Sequence, residues 1–218
     1  MMARKNRHEF PSKDSFMEDS KKASGELLEL FRANMLDNQA LWIKRRSNLK
    51  IYCVSKSKTG TPDNLLLWAH YAYKHMGAVI QHRCLKEQEM TDFGVFQVDY
   101  KKEMPIIADL NEYVKHFTGQ KKLDFDNLAI KFARTKSDHW EYENEWRYIK
   151  YDITNSNAEF ENVSIDPNKI EAIYFGCKMD EKELIEIKNL ISGDFSHVKL
   201  FQAHQHTKFY KLEFLPIN

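Results

Sequence analysis

The sequence predicts an α+β fold: a single domain with a mixed, mostly antiparallel sheet, several helices and a helical N-terminal segment. Three observations predict it. Apolar, β-forming runs number about eight and concentrate after residue 145. Helix-period segments fall between them without a regular β-α alternation. A chain of 218 residues suits one large core and is short for two. The expected organisation is a helical segment over 1–49, part of the same domain, followed by an α+β core over 50–218.

Element by element, Ser12–Leu49 is rich in Glu, Lys, Leu and Met, with Leu27, Leu30, Phe31, Met35 and Leu41 at helical spacings. It predicts one or two helices broken near Gly25. Lys50–Ser55 reads as a buried strand, and a polar loop runs on to Pro62. Pro62-Asp63-Asn64 is N-cap chemistry and Gly77 a C-cap residue, so Leu65–Gly77 is expected to be a helix of roughly three turns. On it Trp68, Tyr71, Ala72 and His75 share one stripe, and His70 and Lys74 point elsewhere. Gly77–Gln81 and Gly94–Lys101 read as strands, Asp109–Phe117 and Phe125–Lys136 as helices. Glu145–Tyr151, Phe160–Ile165 and Ile170–Phe175 are expected strands, Asp180–Ser192 a helix, and Val198–Ala203 and Phe209–Leu215 the closing strands.

Bulk properties narrow the function classes. With 42% hydrophobic and 30% charged residues the chain has the composition of a globular protein. A net charge of +1 argues against nucleic acid or an acidic membrane as partner. No apolar run approaches the ~18 residues of a membrane span, and Met1–His8 lacks the apolar core of a signal peptide. Cys53, Cys84 and Cys177 are odd in number, far apart and without C-x-x-C spacing, the pattern of reduced thiols in a cytoplasmic protein.

The densest chemistry lies in Trp140–Arg147, W-E-Y-E-N-E-W-R. If extended, it places Glu141, Glu143, Glu145 and Arg147 on one face and Trp140, Tyr142, Trp146 and Tyr148 on the other. If helical, Glu143 and Arg147 form an i,i+4 pair. The β-formers that follow favour a strand from about Glu145 with a helix-to-strand transition just before it. A Glu-x-Glu on a strand sets two carboxylates about 7 Å apart on one face, where they can bind a sugar hydroxyl or stabilise a cationic glycosyl transition state. The competing reading makes Glu143 and Arg147 a structural ion pair that ties the strand to the Trp68 helix. His70, beside Tyr71, is the candidate general acid or base if it meets Glu143 or Glu145 across a cleft. A metal pair from His70 and His75 is not expected, because a five-residue spacing puts them about 140° apart on a straight helix. His204 and His206 lack a third ligand, and no metal site is expected.

These segments resemble the bacterial family known as domain of unknown function 2971. The resemblance is carried by Tyr52-Cys53-Val54-Ser55; by W-x-H-Y-x(3)-H-x-G at Trp68, His70, Tyr71, His75 and Gly77; by K-x(3)-W-x-Y-E-x-E-W-R at Lys136, Trp140, Tyr142, Glu143, Glu145, Trp146 and Arg147; and by I-x-x-I-Y-F-G at Ile170–Gly176. The family's N-D-P-F-like lead is not found here, which implies a clipped or divergent N-terminus. Where the family continues G-x(4)-F-D, this chain reads G-A-V-I-Q-H-R.

Ser55 and Ser57 followed by Glu143 and Glu145, among many Tyr and Trp residues, are also similar to the arginine-serine-glutamate ADP-ribosyltransferases. That analogy implies an NAD- or nucleotide-using enzyme, such as a toxin or phage-defence effector. Catalysis would fall to Glu143, Glu145 and His70, and ligand binding to Ser55, Trp68, Tyr71, His75, Trp140, Tyr142 and Arg147. The competing expectation is a non-enzymatic ligand-sensing or protein-interaction module built on the same pocket.

Overall fold

The computed structural model describes residues 13–83, 94–106, 108–152, 160, 162, 164–191 and 193–217. In chain order the elements are α1 (Lys13–Ser47), β1 (Leu49–Ser55), α2 (Leu65–Tyr71), β2 (Ala78–His82), β3 (Gly94–Gln97), β4 (Asp99–Lys101), α3 (Leu110–Phe117) and α4 (Phe125–Ala133). Then come β5 (Thr135–Ser137), a 3-10 turn (Asp138–Glu143), β6 (Glu145–Tyr151), β7 (Ile170–Phe175), α5 (Glu181–Leu190), β8 (Lys199–Gln205) and β9 (Leu212–Pro216). The class is α+β. Among the described residues the strands form three sheets, ordered β1-β6-β3, β2-β7-β8-β9 and β4-β5. Antiparallel pairing joins β2 to β7, β3 to β6 and β8 to β9; β7 and β8, linked through α5, are parallel, as are β4 and β5.

The chain divides into two compact units. One holds the described part of Met1–Leu49 together with Pro105–Phe132. In it α1 runs unbroken through Gly25, where a side chain would meet nothing within 4 Å, so the glycine costs only its weak helix propensity, about 1 kcal/mol. Its inner stripe is Phe31, Asn34, Asn38 and Trp42. The Phe31 ring meets Tyr113 and Phe117 edge-on at 5.4 and 5.1 Å, and Trp42 meets Phe132 at 4.8 Å.

The second unit is Lys50–Met104 with Ala133–Asn218. Trp68 of α2 and Ala72, the residue that caps its C-terminus, pack against Ala172, Tyr174, Ala203 and Leu212 of the four-stranded sheet, with Tyr174 stacked on Phe201 at 4.9 Å. Complete burial of an indole, about 200 Å² at ~25 cal/mol per Å², contributes roughly 5 kcal/mol. A second core forms around Tyr148, with Tyr52, Val54, Val95 and Ile165.

Several expected boundaries move. The Asn64 side chain caps α2 as expected, accepting from Leu66 N at 3.0 Å. The helix nonetheless ends at Tyr71, because Tyr73, Lys74 and His75 all take left-handed backbone (φ 47, 54 and 71°). A continued helix would carry His75 about 10 Å along the axis from Trp68. The left-handed turn instead folds it back, so that imidazole and indole lie 6.2 Å apart and nearly parallel. Tyr71 is 65% exposed and so does not share the buried stripe of Trp68 and Ala72. The expected strand Gly94–Lys101 splits at buried Val98, with one half pairing β6 and the other β5. The expected helix Phe125–Lys136 stops at Ala133, since Thr135–Ser137 pairs with β4. Phe209–Lys211 belongs to the β8–β9 turn and the strand begins at Leu212. The described residues of 160–165 form no strand. Cys84 and Met1–His8 lie outside the described residues.

Candidate functional site

The site is built where the chain changes from 3-10 turn to strand. Asn144 makes that change in the left-handed region (φ 47, ψ 50°), a conformation asparagine tolerates better than most residues. Its position is fixed from both sides: its Nδ2 donates to Lys56 O at 2.6 Å, and its carbonyl accepts from Lys56 N at 3.0 Å. Asn64, the cap of α2, donates through Nδ2 to Tyr142 O at 2.9 Å. The start of α2 and the end of β1 therefore both hold this turn.

Glu143 and Glu145 are neighbours because of that turn and not through strand alternation. Glu143 ends the 3-10 turn, Glu145 opens β6, and Glu141 is exposed. Both carboxylates converge on Lys136, whose Nζ donates to Glu143 Oε2 and, at 3.0 Å, to Glu145 Oε2. Lys136 reaches them from β5, where it stands in register with Tyr100 of β4. The Tyr100 hydroxyl accepts from Glu145 N at 2.9 Å, and Glu145 O accepts from Val98 N at 3.0 Å. The Lys136 ammonium also lies 4.9 Å from the centre of the Trp140 ring, a cation–π contact.

The two glutamates, 3% and 4% exposed, differ in what else they touch. Arg147 clamps Glu145, with Nε to Oε1 at 2.7 Å and Nη2 to Oε2 at 3.3 Å, and its Nη1 donates to Ala133 O. The structural ion pair of the strand is thus Glu145–Arg147, and the expected pairing of Glu143 with Arg147 is replaced by Glu143–Lys136. The Cys53 thiol of β1 interacts electrostatically with the same carboxylate. Burial pushes the Glu145 carboxyl up, but the hydrogen bonds from Arg147 and Lys136, with the neighbouring Cys53 thiol, outweigh it and hold the pKa down to about 2. Conversely, desolvation together with the adjacent Glu145 carboxylate pushes the Cys53 thiol up to about 11, although the residue as a whole is exposed. For Lys136, desolvation opposes the charge, and the two carboxylates override it to raise the pKa. Glu143 instead accepts at Oε1 from the Tyr71 hydroxyl at 2.7 Å. Desolvation first, and then this carboxylate, raise the Tyr71 phenol.

The remaining expected residues fall around or outside this cluster. His70 meets the Trp140 ring edge-on at 5.6 Å, and Trp140 meets Tyr142 at 5.9 Å. The contact from α2 to the acidic pair is therefore made by Tyr71, while His70 stands against the indole. Trp68 is fully buried core, with its Nε1 donating to Pro62 O at 2.5 Å. His75 stacks on Trp68, and burial and then the charge of Lys178 lower its pKa. Ser55 lies exposed at the end of β1. Ser57 organises a surface turn, accepting from Gly60 N and donating to Thr61 O. Lys136, Cys53 and Tyr100 are cluster members outside the expected site set. The lysine was signalled by its place four residues before Trp140. Among the described residues no group of His, Cys, Asp and Glu could hold a metal ion, and no helix is long and apolar enough to cross a membrane. His206 is a turn organiser, its Nδ1 accepting from Lys208 N and Phe209 N.

No curated protein and no solved structure matches the chain. A family model described as protein of unknown function (DUF2971) matches residues 67–148. Tyr52–Ser55 and Ile170–Gly176 lie outside that stretch. It contains His70, Tyr71, Tyr100, Lys136, Trp140, Glu143, Glu145 and Arg147, so the chain resembles this family across every member of the cluster except Cys53.

Proposed function

We propose that the face formed by Trp140, Tyr71, His70 and the Lys136–Glu143 pair binds a small nucleotide-class ligand, with NAD the first candidate. The carrying observation is the arrangement around Glu143. A buried carboxylate is held between an ammonium seated on an indole and the hydroxyl of a tyrosine whose ring is largely exposed. Flat aromatic surface beside a few convergent polar groups is the chemistry that orients a base or a nicotinamide ring. Glu145 is the scaffold of the site: its buried carboxylate accepts three hydrogen bonds from Arg147 and Lys136, which commit it to holding β6 and β5 together. Trp68, His75 and Arg147 act in this reading from behind the face, and Ser55 takes no part.

A second reading, glycosyl transfer from NAD, is favoured by the same Tyr71–Glu143 bond. Rotation of an exposed tyrosine is easy, and it would free one oxygen of Glu143 to face a ribosyl cation. Such NAD consumption in a bacterial cytoplasm is the chemistry of a toxin or phage-defence effector. The test is a melting-temperature panel with NAD, ATP and sugar nucleotides, followed by chromatographic detection of nicotinamide release from NAD. Stabilisation by one of these ligands that Trp140→Ala abolishes supports the site. Release that Glu143→Gln cuts ~100-fold or more supports transfer. Stabilisation without release supports the binding module, and no stabilisation by any of them rejects the nucleotide reading.

A further inference from the structure

The helical unit supplies none of the residues of this site, yet its helices are joined by a run of polar groups whose hydrogen-bond directions are fixed. Leu123 N donates to His116 Nδ1 at 3.2 Å. A backbone N–H cannot accept, so this ring nitrogen carries a lone pair and the ring proton sits on Nε2. Nε2 therefore donates to Asn38 Oδ1 at 3.3 Å. Asn38 Nδ2 donates in turn to Asn34 Oδ1 at 2.8 Å, and the Tyr113 hydroxyl donates to the same oxygen at 3.1 Å. The neutral imidazole thus ties α3 to α1 through one nitrogen and to the loop before α4 through the other.

The loop contact is the proton-sensitive one. A proton on Nδ1 would set two N–H groups against each other and leave Leu123 N without its acceptor. No opposite charge offsets this, because among the described residues the hydrogen bonds of the ring go to Asn38 and Leu123, neither of them acidic. The charged groups on the elements packed against it are engaged elsewhere or solvated. Glu112 of α3 binds Lys121 of the loop at 2.7 Å, and Asp126 of α4 binds Arg45 of α1 at 3.2 Å. Asp124 accepts from Asn127 N at 3.0 Å in the first turn of α4, and Asp37, Lys115 and Lys122 are exposed. Tyr113, in ring contact at 6.3 Å, is the other titratable group beside it. Leu123 is half-buried, and Phe125, buried at the start of α4, meets the imidazole edge-on at 6.1 Å.

We propose that His116 is an acid-released latch within this unit. A solvent proton taken up at Nδ1 breaks the bond to Leu123 and frees the loop 118–124 and the entry into α4. The Nε2 bond to Asn38 survives protonation, so α1 stays on α3 through that bond and through the Phe31 ring against Tyr113 and Phe117. Histidine changes charge between about pH 5 and 8. The latch is closed at the upper end of that window, where the ring is neutral, and open at the lower end.

Heteronuclear NMR of the full chain across this pH range tests it. Long-range correlations to the imidazole nitrogens give the tautomer and the titration of His116, and exchange of the Leu123 amide, corrected for the intrinsic pH dependence of exchange, gives the state of the latch. The expected result is the Nε2–H tautomer at pH 8, and protection of the Leu123 amide that falls about tenfold or more towards pH 5 with the same midpoint as the ring. His116→Asn keeps an acceptor where Nδ1 stood and cannot titrate, so its protection should be flat over the range. The wild-type comparison of midpoints stands without the variant. A proton on Nδ1 at pH 8, Leu123 protection that does not follow the ring titration, or a wild-type pH response in His116→Asn would each overturn the proposal.

Discussion

The buried Glu145 carboxylate accepts from Arg147 and Lys136, and the proposed function assigns it the supporting role. Its carboxyl is held at about 2 against an ordinary 4.5. A carboxylate depressed in this way stabilises the fold where it is ionised, and the contribution is lost as pH falls from about 4.5 towards 2. Wild type should therefore lose melting temperature over that interval, and Glu145→Gln should flatten this part of the profile. At neutral pH the substitution leaves Arg147 and Lys136 facing a neutral amide, a loss of about 3–5 kcal/mol for a buried pair. A Glu145→Gln variant that melts within a degree of wild type at pH 7 would refute the scaffold role. Cys53 reports on the same carboxylate. With its thiol raised to about 11, alkylation at pH 8 should be slow, because the thiolate is the nucleophile. Removing the Glu145 charge should accelerate it about tenfold for each unit by which the thiol pKa falls. Peptide mapping after timed alkylation reads this directly; equal rates in wild type and Glu145→Gln would show that the thiol does not sense the carboxylate.

At the scale of elements, the turn Tyr73–His75 carries more strain than any other described segment, with three successive non-glycine residues in left-handed backbone. Each costs roughly 1–2 kcal/mol, and burial of Trp68 and the packing of β7 offset it. The lock is Gly176. A Cβ there would sit 2.1 Å from His75 O and 2.7 Å from Gly77 O, backbone atoms with little room to move, while Gly176 N donates to Gly77 O at 2.9 Å. Gly176→Ala should thus cost about 1–3 kcal/mol. Lys74→Gly, which relieves left-handed strain at an exposed position, should raise stability by roughly 0.5–1 kcal/mol. Denaturant melts distinguish these signs, and a destabilising Lys74→Gly would show that the turn is not strained at that residue.

For the molecule as a whole, the α+β class was legible because strand runs such as Glu145–Tyr151 and Ile170–Phe175 carry dense β-branched and aromatic residues that tertiary packing does not override. Boundaries set by long-range contacts were not. The end of α2 depends on a stack of His75 on Trp68 and on a glycine a hundred residues later. The break of Gly94–Lys101 depends on β3 and β4 finding different partners. The acidic pair was visible as Glu-x-Glu, but its geometry was not. Alternation predicts a shared strand face, whereas the left-handed Asn144 and the lysine delivered from β5 bring the carboxylates together. Tyr71, not His70, reaches Glu143 for a related reason: one residue of helix register decides which side chain faces the turn, and hydrophobic period alone does not fix it.

In the proposed function the Trp140–Tyr71 face binds while Glu145 only supports it. Calorimetric titration of the ligand that stabilises wild type into Trp140→Ala, Tyr71→Phe and Glu145→Gln, each alongside its own melting curve, tests this most directly. Below the melt of Trp140→Ala, affinity is expected to fall about 5- to 150-fold, reflecting the ~1–3 kcal/mol that an aromatic stack contributes. The account predicts a milder loss for Tyr71→Phe, and a lowered melt with retained binding below that melt for Glu145→Gln. Full affinity in Trp140→Ala, or abolished binding in a Glu145→Gln protein that melts like wild type, would contradict it.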